Sequence, residues 1–158
     1  LINNFYFDFP NPDKKDCACF WFHAYPVAGI STEDHEKLKK MFAAAKHYNI
    51  CVNSTFIDKM TCEYLGAIGK AFVMGVETPA KNDTHVVGDY ILTAYFEKDY
   101  AQKLDELYNS VKSEKDLNMQ MLFELSNKKT KITVIITKNT QMADWLRAEA
   151  KKCFGAGK

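Results

Sequence analysis

Eight of the 21 aromatic residues in this 158-residue chain fall within its first 25 positions. They form two runs, Phe5-Tyr6-Phe7-Asp8-Phe9 and Cys17-Ala18-Cys19-Phe20-Trp21-Phe22-His23-Ala24-Tyr25. Between them, Pro10-Asn11-Pro12-Asp13-Lys14-Lys15-Asp16 is rich in residues that favour chain reversal, so the pair is expected to form a β-hairpin. Successive strand side chains project to opposite faces, which puts Trp21, His23 and Tyr25 on one side and Phe20 and Phe22 on the other. A strand wet on one face alternates apolar with polar residues, and this one does not. It is therefore either covered on both sides or offers an aromatic surface to a partner.

The length fits one globular domain over residues 1–158, large enough to bury a core without metal or disulfide support. Hydrophobic residues at 47% and charged residues at 26% exclude a largely disordered chain. A net charge of +1 gives no bulk attraction toward nucleic acid or an acidic membrane, so nucleic acid is not expected as a partner. No apolar run approaches the roughly 20 residues of a membrane-spanning helix. Five cysteines are an odd number for a disulfide framework, and alternate strand residues such as Cys17 and Cys19 are poorly placed to bridge each other. Free thiols suit the cytoplasm. The acceptor sequences at Asn53 and Asn82, with Leu rather than Met at position 1, keep a secreted alternative open.

Ser31-Thr32-Glu33-Asp34 has the spacing of a helix start, and Leu38, Met41, Phe42, Ala45 and Tyr48 follow as one apolar stripe. Residues 50–56 read as a strand. Over residues 58–73 a helical stripe competes with a hairpin turning at Gly66 to Gly69; on a helix, the two glycines would permit close approach of another element. A polar loop over 78–84 precedes one strand from Val86 to Phe96 and a helix starting at Asp99. Residues 119–125 and 131–137 are expected to pair as a second hairpin around Ser126-Asn127-Lys128-Lys129, with its lysines at the tip. A last helix from about Thr140 to Cys153 is expected to bury Met142, Leu146 and Ala150 and to stop at Gly155. Strands and helices do not alternate strictly. The expected class is α+β, a mixed or mainly antiparallel sheet with three to four helices packed on it as a single pair of layers. A faint strand-helix-strand echo links residues 20–56 with 91–125.

Cys17-x-Cys19-x-x-x-His23 resembles a ligand set, but an extended strand spreads these side chains too far apart for one zinc ion, so neither metal nor cofactor is expected. His23, beside two cysteines and among rings, is the histidine whose surroundings could tune it. Hydrolase elbows, zinc-protease helices and phosphate loops are missing, and Gly66-Ala67-Ile68-Gly69-Lys70 lacks the spacer of the last. Two functional readings follow. In the first, a non-enzymatic regulatory domain binds a protein partner, or another copy of itself, through Phe20, Trp21, His23 and Tyr25. In the second, a small enzyme or receptor has an aromatic-lined pocket around His23 and Cys19.

Overall fold

A computed structural model describes residues 11, 13–25, 32–67 and 71–155 of the chain. Six strands form one sheet in the order β3-β2-β1-β4-β5-β6. They are β1 (Cys17–Trp21), β2 (His47–Cys51), β3 (Phe72–Met74), β4 (Asp83–Val87), β5 (Tyr90–Phe96) and β6 (Ile132–Lys138). The helices are α1 (Thr32–Ala44), α2 (Phe56–Ala67), α3 (Lys98–Ser110), α4 (Met119–Asn127) and α5 (Thr140–Gly155). Strands β1, β2 and β3 run parallel, joined by crossovers through α1 and α2, while β4, β5 and β6 add antiparallel steps on the other side of β1. The class is the expected α+β with a mixed sheet.

Strand β1 lies inside the sheet. Cys17–Trp21 pair with His47–Cys51 on one edge, and Ala18–Phe20 pair with Thr84–Val86 on the other. With both edges taken, β1 has none left for the hairpin expected with residues 5–9, which themselves lie outside the described residues. Burial on both faces explains the continuous apolar run, as in the parallel strands of α/β proteins. Ala18, Phe20, Tyr48, Ile50, Val86 and Ile91 form one face and pack on Ala143, Leu146 and Ala150 of α5. Cys51 projects from the opposite face and clusters with Ala24 and with Cys62 of α2, so helices flank both faces. A third cluster joins Ile57 of α2, Leu104, Leu107 and Tyr108 of α3, Val111, and Leu122 of α4, with Tyr25 packed against it.

Several elements differ from their sequence reading. The expected single strand from Val86 to Phe96 is the hairpin of β4 and β5, turning at Gly88-Asp89 with Gly88 at φ 54°. Residues 119–127 form a helix and not a hairpin arm: the Asn118 side chain caps it by accepting the Met121 amide, and Leu122 is buried while Met121 and Phe123 face solvent. Lys128 and Lys129 therefore sit in a helix-to-strand connection. The echo over 91–125 fails with that strand. Strand β2 begins at His47, so Tyr48 is a sheet residue and not the end of the α1 stripe. Ser31 and the side chains of Leu38, Met41 and Phe42 lie outside the described residues.

Residues 56–67 resolve to a helix, and a Cβ at Gly66 would meet nothing within 4 Å, so this glycine permits no close approach. In α5 the buried stripe is Ala143, Leu146, Arg147 and Ala150, with Met142 exposed. No helix of the described residues is long and apolar enough to cross a membrane.

Candidate functional site

The parallel strands step away from β1 in one direction, and β4 flanks it on the other. The carboxyl end of β1 is thus where the order of the sheet reverses, the position at which open α/β sheets gather ligands. Four elements deliver polar side chains there. Residues 22–25 follow β1, Thr55 and Asp58 open α2 just after β2, Asp83 is the first residue of β4, and Asp105 and Tyr108 come from α3.

His23 is 1% exposed. Its Nδ1 lies 3.2 Å from both Asp58 carboxylate oxygens, and its Nε2 lies 3.2 Å from Asp105 Oδ1. Carboxylates only accept, so the ring makes both contacts at once when both nitrogens carry protons. Asp58 is fully buried, whereas the Asp105 side chain is half exposed. The imidazole therefore joins an interior carboxylate to one in contact with solvent.

Asp58 is heavily bonded. It accepts from the Ala24 amide at 2.8 Å, the Thr55 amide at 2.9 Å, the Thr55 hydroxyl at 2.7 Å and the Cys51 thiol at 3.7 Å. Burial alone would raise its pKa, but His23, Thr55 and the Ala24 amide hold it below the usual carboxylate value. The Asp58 amide in turn donates to Thr55 Oγ1 at 3.3 Å, so Thr55-x-x-Asp58 works as a capping box at the start of α2. Cys51, paired with Cys62 and Asp58 and buried, is pushed far above the ordinary thiol range.

Asp83 is different. Its Oδ1 accepts the Phe22 amide at 2.7 Å, while Oδ2 is buried without reaching hydrogen-bond geometry to any described group, the Tyr25 phenol lying beside it. Burial pushes its pKa up to about 6, against the pull of the Phe22 amide, Tyr25 and His23. The Tyr25 phenol rises well above its usual value, first through burial and then through Asp83. Tyr108 lies with its ring 4.2 Å from that of His23 and donates its hydroxyl to the Ala24 carbonyl at 2.9 Å. A line of rings runs outward: Trp21 to Tyr25 at 5.9 Å, Tyr25 to Phe96 at 5.7 Å, and Phe96 to Tyr100 at 5.7 Å. Behind them His85, 4.6 Å from Trp21 and edge-on to it, is brought down to about 3 by burial and stays neutral.

Of the four aromatic-strand residues singled out by sequence, Trp21, His23 and Tyr25 meet at this end, and Phe20 does not. Phe20 points into the core beneath α5. The expectation of an open aromatic surface is corrected by burial: Phe20, Trp21 and His23 are covered, Tyr25 is half-buried, and Phe22 is the exposed ring at 46%. Cys19 pairs across strands with His85, and the thiol at the His23 cluster is that of Cys51. The burial of Cys17 pushes its thiol up to about 12. Asp58, Asp83 and Asp105 escaped the sequence reading, although the capping-box spacing of Thr55 and Asp58 marks the first of them. Among the described residues no group of three His, Cys, Asp or Glu side chains is arranged to hold a metal ion. No protein-family model, curated protein or solved structure matches the chain.

Proposed function

We propose that the protein is a small enzyme or small-ligand receptor whose site lies at the carboxyl end of β1, with His23 as its acid–base group. The observation that carries this is the bracketing of one buried imidazole by two carboxylates, Asp58 inside and Asp105 at the surface. Asp58 fixes the ring from the interior and the half-exposed Asp105 contacts its outer nitrogen, an arrangement suited to acid–base work at a bound substrate. The inert, buried Cys51 argues for proton transfer over thiol catalysis. A fragment screen by NMR tests the reading. Fragments that shift the Phe22 amide and the His23 ring together support it; a screen in which none does so would remove it.

A second reading, self-association, is favoured by β6. This strand ends the sheet, and Ile135 and Ile136 are 51% and 46% exposed on its opposite faces. An apolar edge with no strand beside it among the described residues is satisfied by another strand, and the near-zero net charge opposes no second copy. Sedimentation velocity on wild type and Ile135→Lys decides it: a wild-type dimer lost in the variant supports pairing, and a monomeric wild type contradicts it. For compartment, we infer the cytoplasm, because all five cysteines are free and Asn53 Nδ2 is already donating to the Phe22 carbonyl at 2.9 Å.

A further inference from the structure

We propose that the site at the carboxyl end of β1 takes a small organic cation, a protonated amine whose N–H groups face Asp83 and whose carbon skeleton lies against Tyr25 and Phe96. This rests on the reading of the His23 cluster as a small-molecule site and adds the chemical class of its ligand. Two carboxylates, those of Asp58 and Asp105, bracket the His23 imidazole, and a third, Asp83, lies within its electrostatic reach. Asp58 is matched by four donors besides His23. Asp105 reaches solvent. Asp83 does neither: it is 4% exposed, one oxygen is occupied by a backbone amide, and the other is buried with only the neutral Tyr25 phenol beside it and no hydrogen-bond geometry to any described group.

A buried carboxylate without a counter-charge is costly, and it is relieved either by a proton or by a cation. Among the described residues the groups acting on Asp83 are the Phe22 amide, Tyr25 and His23, with no lysine or arginine. A cation from outside would fill that role. Tyr25 lies beside the carboxylate, Phe96 and Tyr100 continue from it in consecutive ring contact, all three are half-buried, and aromatic faces attract a positive charge within about 6 Å. An anion would meet three like charges. A neutral apolar ligand would leave Asp83 Oδ2 as unpaired as before, and a quaternary ammonium would offer it no N–H.

The protein is titrated with n-butylamine hydrochloride, tetramethylammonium chloride and sodium acetate at equal ionic strength, with the backbone amides of Phe22 and Phe96 followed by NMR. Butylammonium should shift both to saturation, tetramethylammonium should bind about tenfold more weakly, and acetate should leave them in place. Asp83→Asn should abolish saturation, and Phe96→Leu, at a ring outside the three core clusters, should weaken binding about tenfold. Absence of a saturable shift with butylammonium overturns the proposal, as does wild-type affinity in Asp83→Asn. Should that variant not fold, equal affinity for the two cations, or unchanged affinity in Phe96→Leu, overturns it instead. Neutral or anionic fragments that move Phe22 and His23 while butylammonium does not would reject the cation and leave the small-molecule reading intact. Silence from every class of ligand would remove both.

Discussion

The two ends of the sheet handle charge in opposite ways. At the amino end of β1, each of three aspartates has a cation: Lys15 meets Asp89 at 2.7 Å, Arg147 meets Asp144 at 2.6 Å, and Lys151 meets Asp16 at 2.8 Å. Arg147, though buried, also donates to the Gly88 carbonyl at 2.6 Å, tying α5 to the β4–β5 turn. At the carboxyl end, Asp58 and Asp105 share one histidine, and Asp83 has no ion pair among the described residues. Hydrogen bonds from Lys15 and Arg147 lower Asp89 and Asp144; at the other end burial is outweighed at Asp58 by His23, Thr55 and the Ala24 amide, but it raises Asp83. Matched pairs close a fold without further consequence. An unmatched buried carboxylate works against stability, and such groups concentrate where chemistry or binding needs them.

Substitutions at the two ends can break this contrast. The largest loss is expected from Asp58→Ala, which strands the Ala24 and Thr55 donors and the His23 ring in the interior; about 3–5 kcal/mol should disappear from denaturant unfolding. Arg147→Met keeps an apolar stem on the sheet but deprives the Gly88 carbonyl of its donor, and about 2 kcal/mol is expected by the same measurement. If it costs more than Asp58→Ala, the amino end is the more demanding of the two and the contrast is lost. Gly88→Ala forces a Cβ into the left-handed region at φ 54° and should cost about 1 kcal/mol. Asp105→Ala, half exposed, should change stability by less than about 1 kcal/mol yet move the His23 ring nitrogens in the ¹⁵N spectrum. An unmoved ring would take Asp105 out of the site.

The sequence carried the class and the α1, α3 and α5 helices, because these rest on local periodicity. Pairing partners are another matter. The continuous apolar run of Cys17–Trp21 is compatible with a ligand surface or a central strand, and only the long-range placement of β2 and β4 decides between them. Met119–Leu125 misled because alternating apolar residues suggested a strand, whereas the Asn118 cap and burial of Leu122 favour a helix. The Gly88-Asp89 turn was legible, since glycine followed by aspartate between β-rich segments is a hairpin signal. Asp83 and Asp105 were not: each is an ordinary acidic residue locally, and their meeting at His23 depends on how β4 and α3 are brought to the end of β1.

The stability of Asp83→Asn relative to wild type, measured from about pH 4 to pH 8, tests the unmatched charge most directly. With its folded pKa near 6 and an unfolded value near 3.8, Asp83 takes up protons on folding between those limits. Its stabilising contribution is complete below the unfolded pKa and is lost as pH rises through the folded one. Asparagine does not titrate, and His85, neutral when folded, contributes equally to both proteins. The variant should therefore gain on wild type as pH rises from about 4 to above 6, by up to about 3 kcal/mol. A difference that stays constant with pH, or that moves in favour of wild type, would mean that Asp83 already has its counter-charge within the protein.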